Sequence, residues 1–289
     1  MLAAFHAPGM ARSIRFKART PKPNATGPNC ESRRTEQRVC DTQGATHVDR
    51  GMSVNAGANR LLDALPMERA RRLRRSLSPV CLDIGTVLFE PGEPIAFVDF
   101  PRNCVVSLVT PFQEGTSVEV ASIGNEGIVG VPTRPGGSLA FRAISSVAGW
   151  VDRMDASTFL DEAKADPDLQ EVVNDYVRAL FGEIAQAAAC NRLHSNEERL
   201  GRWLLMSHDR VGTDEFEITH ELLGQILGSR RATVTLSAES LRAAGLIRYY
   251  RGRVTIVDRA GLEAVACECY QAITTELDGV VERAHRSRT

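Results

Sequence analysis

The sequence predicts an α+β protein with a β-rich N-terminal half, a long central helix and a C-terminal helix-turn-helix followed by a β-hairpin. Short apolar runs separated by turn residues occupy positions 80–151 at roughly ten-residue spacing, as in sandwiches and barrels. An apolar stripe of helical period follows Asp166 and Pro167. Two short helical patterns then flank Gly228.

Length and composition limit the class of protein. The chain has 289 residues, which fits two domains of about 100–200 residues each, and 43% of its residues are hydrophobic. No stretch approaches about 18 consecutive apolar residues, so we expect a soluble, cytoplasmic protein without a membrane partner. The formal net charge of −1 does not indicate a partner.

The first 55 residues differ in composition from the rest. Residues 1–29 contain five basic side chains and no acid, and residues 21–28 are rich in proline. This composition is typical of disorder, so we predict a disordered extension over 1–55. Met52 is a candidate natural start, which would place residues 1–51 upstream of the protein. The alternative is a basic arm that assists binding of nucleic acid.

Residues 56–165 are predicted to form the β-rich domain. Turn signals lie at Pro91-Gly92, Glu114-Gly115 and Gly124-Asn125. They separate the apolar runs 87–89, 96–98, 105–109, 118–120 and 143–151.

Residues 166–194 are predicted to form one long helix, because Asp166-Pro167 suits a first helical turn. Its apolar stripe is too long for one small domain to cover, so we predict a homodimer through the 168–191 helix. Packing of this helix on the β-rich domain is the alternative. The stripe consists of Val173, Val177, Leu180, Ile184 and Ala187 or Ala188.

A C-terminal domain is predicted over 195–275, with a tail over 276–289. Its connecting helix spans 196–209, and Leu200, Trp203 and Leu204 are expected to face inward.

The helix-turn-helix begins at Thr219, whose hydroxyl can cap a helix with leucines at 222, 223 and 227 and an isoleucine at 226 in helical apolar spacing. Gly228 can adopt the positive φ that ends this helix, and Gly224 leaves room for a close crossing. We expect Ser229 to cap the next helix.

The second helix is predicted to bury Val234, Ala238 and Leu241 and to leave polar side chains on its other faces. An arginine that forms two hydrogen bonds with guanine favours that base over a wrong one by about 1–3 kcal/mol. Threonine can offer its hydroxyl to a phosphate or its methyl group to thymine. The alternative is that these polar side chains only form the solvated face of an ordinary corner between two helices. The candidate DNA contacts are Ser229, Arg230, Arg231, Thr233, Thr235, Ser237, Arg251 and Arg253.

A β-hairpin wing is predicted from the β-rich runs 246–250 and 254–257, which meet at Arg251-Gly252-Arg253. Residues 228–253 contain six arginines and one acid, Glu239, so this segment carries a charge of +5. Basic charge is therefore concentrated where DNA would lie.

These residues resemble the Crp/Fnr family of bacterial transcription regulators over about residues 59–273. The resemblance rests on residues 194–206, on the helix-turn-helix with Gly-x-Arg-Arg-Ala-x-Val-Thr at 228–235, and on residues 244–249. It implies a cyclic-nucleotide-binding-like β-roll, a long dimerisation helix and a C-terminal winged helix-turn-helix. It further implies a homodimer that binds double-stranded DNA at a near-palindromic operator and contacts RNA polymerase.

The reading helix departs from the pattern of the cyclic-AMP-responsive members, which have Arg-Glu at its start and another arginine one turn later. Arg231, Ala232 and Leu236 occupy those positions here. The operator sequence of those members is therefore not expected for this chain. Arg231 is the base contact that the resemblance carries over, and Arg251 and Arg253 are expected to touch phosphate.

The nucleotide-binding cassette departs as well, because responsive members hold ribose with a glutamate and phosphate with an arginine. Ile128 and Leu139 take those positions, and Arg142 lies three residues later. Losing both charged contacts leaves polar ligand groups unsatisfied at a cost of several kcal/mol. We expect a roll that does not respond to cyclic AMP, with an unknown effector. The candidate pocket consists of Gly127, Ile128, Gly130, Leu139 and Arg142.

Two alternatives remain open. One is a cyclic-nucleotide-responsive regulatory protein of the same fold, and the other is a constitutive DNA-binding protein. An enzyme is not expected, because the sequence contains no His-Glu-x-x-His, Walker loop or Gly-x-Ser-x-Gly elbow.

The cysteines predict neither a metal site nor another cofactor. Their odd number and the absence of Cys-x-x-Cys argue against a disulfide framework. The wide spacing of Cys30, Cys40, Cys81 and Cys104 does not match the iron–sulfur ligands of some family members. Cys267 and Cys269 lie two apart on a predicted helix and should face different ways, as reduced structural thiols. The seven cysteines are at 30, 40, 81, 104, 190, 267 and 269.

Overall fold

The computed structural model describes residues 57–112, 116–132 and 134–286. The predicted extension over 1–55 and the turn at Glu114-Gly115 lie outside these residues. Within the described ranges, no helix has the length and apolar character that crossing a membrane requires.

The N-terminal half is a two-sheet roll preceded by helices α1 (Arg60–Ala64) and α2 (Met67–Arg74). Among the described residues of the roll, seven antiparallel strands form one sheet of order β1-β7-β3 and another of order β2-β6-β4-β5. The strands are β1 (Ser78–Leu82), β2 (Val87–Phe89), β3 (Phe97–Pro101), β4 (Val105–Pro111), β5 (Ser117–Ile123), β6 (Arg142–Val147) and β7 (Gly149–Asp155). The predicted β-roll is confirmed.

Helix α3 (Ala156–Ala165) leads into the long helix α4 (Pro167–Leu193). Asp166 caps α4 by accepting a hydrogen bond from the Leu169 backbone N–H at 3.2 Å, and Pro167 occupies the first turn. The predicted start of this helix is confirmed.

The C-terminal domain consists of four packed helices and a three-stranded sheet of order β8-β10-β9. Trp203, Leu223, Val234 and Leu241 are buried in its core, to which Val105 of the roll also contributes. The elements are α5 (Asn196–Val211), β8 (Glu215–Glu217), α6 (His220–Leu227), α7 (Arg231–Ala243), β9 (Ile247–Tyr250), β10 (Arg253–Ile256) and α8 (Arg259–Val265).

The chain continues into α9 (Cys269–Arg286), which packs against α4 and α1. Residues 276–286, expected to belong to a tail, are therefore helical. Apolar side chains recur along α9 at a helical period, and they complete the core of the roll. They are Ile273, Leu277, Val280 and Ala284.

Buried charges lie where α4, α5 and the roll meet. Arg210 of α5 pairs with Glu126 at 2.7 Å and donates to the Ser122 hydroxyl at 2.7 Å. Glu183 of α4 accepts a hydrogen bond from the Ser122 backbone N–H at 2.9 Å. Burial raises the pKa of Glu183 to about 7, and the nearby Arg210 charge opposes this rise. Polar contacts thus join the roll to the C-terminal domain.

Candidate nucleic-acid interface

The first helix of the helix-turn-helix forms as its sequence predicts. The Thr219 hydroxyl accepts a hydrogen bond from the Leu222 backbone N–H at 3.1 Å, which caps α6. Gly228 ends the helix with φ +59°. A Cβ at Gly224 would lie 3.0 Å from the Ser229 carbonyl oxygen, so the turn passes close to the helix. The predicted cap and both glycine positions are confirmed.

The turn between α6 and α7 is held by hydrogen bonds to α5, and Ser229 does not cap α7 as predicted. Arg230 is the N-cap residue of α7 and makes no side-chain capping bond. The expectation for Ser229 is wrong, because its hydroxyl donates to Asn196 Oδ1 instead. Arg199 of α5 donates to the Leu227 carbonyl at 2.6 Å. Both contacts fix the start of α7 against the connecting helix.

Helix α7 presents a mixed basic and apolar face to solvent. Arg230 and Arg231 are exposed at its start, and Thr233 is half-buried. Leu236 is 67% exposed on this helix. Ser237, predicted to contact DNA, is only 8% exposed, so burial against the domain removes it from the outer face.

Thr235 is half-buried and already hydrogen-bonded. Its Oγ1 lies 3.0 Å from the Arg231 carbonyl, to which it donates, and 3.0 Å from His220 Nδ1. The His220 ring stacks on Tyr249 at 4.2 Å. Burial and the Arg231 charge lower the pKa of His220. Thr235 therefore has its methyl group, more than its hydroxyl, available for a further contact.

The wing is a hairpin with a two-residue turn at Arg251 and Gly252. Both residues have positive φ, +49° and +79°, which is the backbone of a type I′ turn. The Arg251 guanidinium lies 5.1 Å from the Tyr250 ring centroid. The predicted hairpin is observed, and it presents Arg251 at its tip.

Arg253, the second arginine of the wing, faces acids of the neighbouring strand. It pairs with Glu215 at 2.9 Å and with Glu217 at 2.8 Å, and these hydrogen bonds raise its pKa. A phosphate would therefore compete with two carboxylates for Arg253.

The candidate pocket residues of the roll lie in packed or paired positions. A Cβ at Gly127 would lie 2.6 Å from the Tyr176 hydroxyl of α4, which donates to the Ile128 carbonyl at 3.0 Å. Gly130 has φ +77°. Ile128 is buried and Leu139 packs against the same core. Arg142 pairs with Glu90 at 2.9 Å, so a ligand phosphate would compete with that carboxylate.

Side chains outside the predicted site come together at the end of α4. Cys190, His194, Cys267 and Cys269 place one ligand atom each within 4.8 Å of one another. The expected divergence of Cys267 and Cys269 is wrong, because Cys267 precedes α9 in a non-helical linker. The sequence does contain a signal for this cluster. Cys190 and His194 are four residues apart, which places them on one face of a helix.

Comparisons with known proteins agree with this architecture. Residues 198–265 match the family model of the Crp-like helix-turn-helix domain. The global nitrogen regulator of Synechococcus elongatus is 24% identical over 189 residues, which cover 62% of this chain and 85% of that protein.

Two solved structures show the same fold. The structure of FixK2 from Bradyrhizobium japonicum aligns with a TM-score of 0.57 and 14% identity, covering 66% of this chain and 98% of that one. A CRP/FNR family transcriptional regulator from Thermus thermophilus, TTHA1359, aligns with a TM-score of 0.52 and 19% identity, covering 65% and 98%. The roll, long helix and C-terminal helix-turn-helix thus form a known architecture.

Proposed function

We propose that this chain is a transcription regulator of the Crp/Fnr type that binds a near-palindromic DNA site as a homodimer. The observation that carries the proposal is the exposed, arginine-bearing start of α7, held by α5 inside the region that matches a Crp-like helix-turn-helix domain. A reading helix in this motif enters the major groove by its N-terminal residues. Arg231 stands at that end of α7.

Base reading is assigned first to Arg231, whose guanidinium suits the O6 and N7 atoms of guanine. Leu236 adds an apolar group, 67% exposed, that suits the methyl group of thymine. The half-buried Thr233 and the methyl of Thr235 supplement this face. The cyclic-AMP-responsive members have two arginines and a glutamate on the reading helix, so base reading by Arg231 and Leu236 would differ from theirs in chemistry.

Phosphate contacts are assigned to Arg230 and to Arg251 at the tip of the wing. Contacts to phosphate position a protein on DNA without reading sequence. Arg253 contributes less than the sequence suggests, because Glu215 and Glu217 offset its charge. Salt should weaken binding in proportion to the number of phosphates contacted.

Homodimerisation is assigned to the exposed face of α4. The predicted stripe divides in the folded chain: Val173 and Ala187 are buried, Leu180 and Ile184 are half-buried, and Val177 is 41% exposed. Phe181, which the stripe did not include, is 70% exposed. To occupy successive major grooves, the two α7 helices of such a homodimer would have to lie about 34 Å apart.

The roll is proposed to act without cyclic AMP. Ile128 supplies no carboxylate for a ribose, Tyr176 fills the space beside Gly127, and Arg142 is paired with Glu90. Calorimetry with cyclic AMP and cyclic GMP tests this part alone. Tight binding of either nucleotide would favour a nucleotide-responsive regulator instead.

By likeness to transcription regulators, we extend the proposal to contact with RNA polymerase.

Replacing Arg231 with alanine tests base reading. We expect specific binding to weaken by about 1–3 kcal/mol, with one base preference relaxed. Arg242→Ala is the matched control, because it removes an exposed arginine from the other end of the same helix. Fluorescence anisotropy against the selected site and against single-base variants measures both effects. Equal losses for Arg231→Ala on all sequences would contradict base reading.

A further inference from the structure

Four side chains with metal-binding chemistry meet where α4 ends and α9 begins. Cys190 lies in the last turns of α4, and His194 caps that helix. Cys267 lies in the linker before α9, and Cys269 is its first residue. The three thiols are buried, and the imidazole is 15% exposed. The proposed DNA interface uses none of these four side chains.

Distances within the cluster suit a single tetrahedral ion. Cys190 Sγ lies 3.6 Å from Cys267 Sγ, and Cys269 Sγ lies 3.5 Å from His194 Nδ1. Zinc bonds of about 2.3 Å to sulfur and about 2.0–2.1 Å to nitrogen place tetrahedral ligands about 3.8 Å (S to S) and about 3.5 Å (S to N) apart. Small side-chain adjustments would therefore complete the coordination.

Neighbouring groups orient the ligands as in known metal sites. His194 Nε2 lies 3.2 Å from Glu268 Oε2, which leaves Nδ1 as the atom that faces the thiols. A carboxylate behind a histidine fixes the ring and the tautomer for metal binding. Gln186 donates to Cys269 Sγ at 3.0 Å.

We propose that Cys190, His194, Cys267 and Cys269 form a tetrahedral site for one thiophilic divalent ion of the zinc class. Three thiolates and one imidazole select zinc over calcium or magnesium, which prefer oxygen ligands. Binding displaces the thiol protons to solvent and changes no oxidation state. Four protein ligands fill the coordination shell, which is the pattern of a structural site.

The position of this site gives it a mechanical consequence. Cys190 and Cys267 are 77 residues apart in the sequence, and the segment between them contains α5, the helix-turn-helix and the wing. One ion would join both ends of this segment to the end of α4. Occupancy would then restrict how the C-terminal domain turns relative to α4. Any effect on DNA affinity rests on the proposed function, whereas metal binding does not.

A disulfide is the competing use of these thiols. The Cys190 and Cys267 sulfurs are close enough that oxidation could join them after a small movement. A disulfide would use two sulfurs and leave Cys269, His194 and the Glu268 contact without a role. Convergence of all four ligand atoms favours the ion.

Metal content of the full-length chain tests the proposal. The chain is purified under reducing conditions, and its zinc is measured by mass spectrometry with inductively coupled plasma. Stripped protein is then titrated with Co²⁺. We expect about one zinc per chain and, with Co²⁺, thiolate charge-transfer and tetrahedral d–d absorption. Cys269→Ser and His194→Ala should lose stoichiometric binding, and Cys81→Ser, outside the cluster, should keep it.

A measurement on the unaltered chain covers the case in which the variants do not fold. Removing zinc with a chelator should lower the Tm, and zinc but not magnesium should restore it. Less than about a tenth of an ion per chain, with no Co²⁺ absorption from the unaltered protein, would overturn the proposal. A Cys190–Cys267 disulfide that persists under reducing conditions would also overturn it. A chain that binds its DNA site but no metal would leave the proposed function intact.

Discussion

Glu183 should make the stability of this protein depend on pH near neutrality. The side chain lies 3% exposed between α4 and the roll, and its carboxylate accepts hydrogen bonds from the backbone and hydroxyl of Ser122. Burial raises its pKa from 4.5 to about 7; Arg210 opposes this shift, and Glu126 and Glu119 add to it. The folded chain therefore holds a proton that the unfolded chain releases.

The sign and size of the effect follow from this difference. Because the folded-state pKa is the higher one, the stabilisation is complete below about pH 4.5 and is lost as the pH rises through about 7. One pKa unit corresponds to about 1.4 kcal/mol. Between pH 5 and pH 8, Glu183 alone should lower the free energy of unfolding by about 2–3 kcal/mol.

Urea unfolding at both pH values measures this loss, at one protein concentration because dimers unfold in a concentration-dependent way. Glu183→Gln keeps the shape and removes the proton. The change between pH 5 and pH 8 should then be smaller than in the unaltered chain by about 2–3 kcal/mol. Glu171→Gln, at an exposed glutamate of the same helix, should leave the change as it is. Equal pH dependence in the Glu183→Gln variant and the unaltered chain would refute the reasoning.

Three further substitutions test the exposed face of α4, the packing of α9 and the turn between α6 and α7. Phe181→Asp places a charge on the exposed face of α4 and should convert dimers to monomers in light scattering with size-exclusion chromatography; an unchanged mass would contradict the proposed interface. Leu277→Ala opens a cavity in the core that α9 completes, so the free energy of unfolding in urea should fall by about 2–5 kcal/mol, and a loss under about 1 kcal/mol would show that α9 is not packed there. Gly228→Ala should cost about 1–2 kcal/mol in the same assay, because φ is +59° and its Cβ would lie 2.5 Å from Val118 Cγ2. Stability equal to that of the unaltered chain would mean that the turn adopts another conformation.

Local chemistry explains which features the sequence predicts well. Thr219 and Asp166 cap their helices through neighbours three residues away, and Gly228 needs only its own backbone freedom. Contacts of this kind can be predicted from a short stretch of the sequence. The short strands of the β-rich half and the hairpin wing follow in the same way from apolar runs and turn residues, whereas the arrangement of those strands as a β-roll was implied by the family resemblance.

Features that depend on distant residues were not predictable in this way. Ser229 bonds to Asn196 instead of capping, because α5 passes beside the turn. Ser237 is buried although its position on the helix suggested exposure. Cys267 and Cys269 converge because the helix begins later than its pattern suggests, and their partners lie on α4, far away in the sequence.

Selection of bound DNA from a random pool, followed by footprinting, tests DNA reading most directly. The proposed homodimer predicts an enriched inverted repeat whose half-site centres lie about 10 base pairs apart, one helical turn of DNA. Selection with Arg231→Ala should lose the preference at one position of each half-site. A pool with no enriched inverted repeat would contradict the central claim.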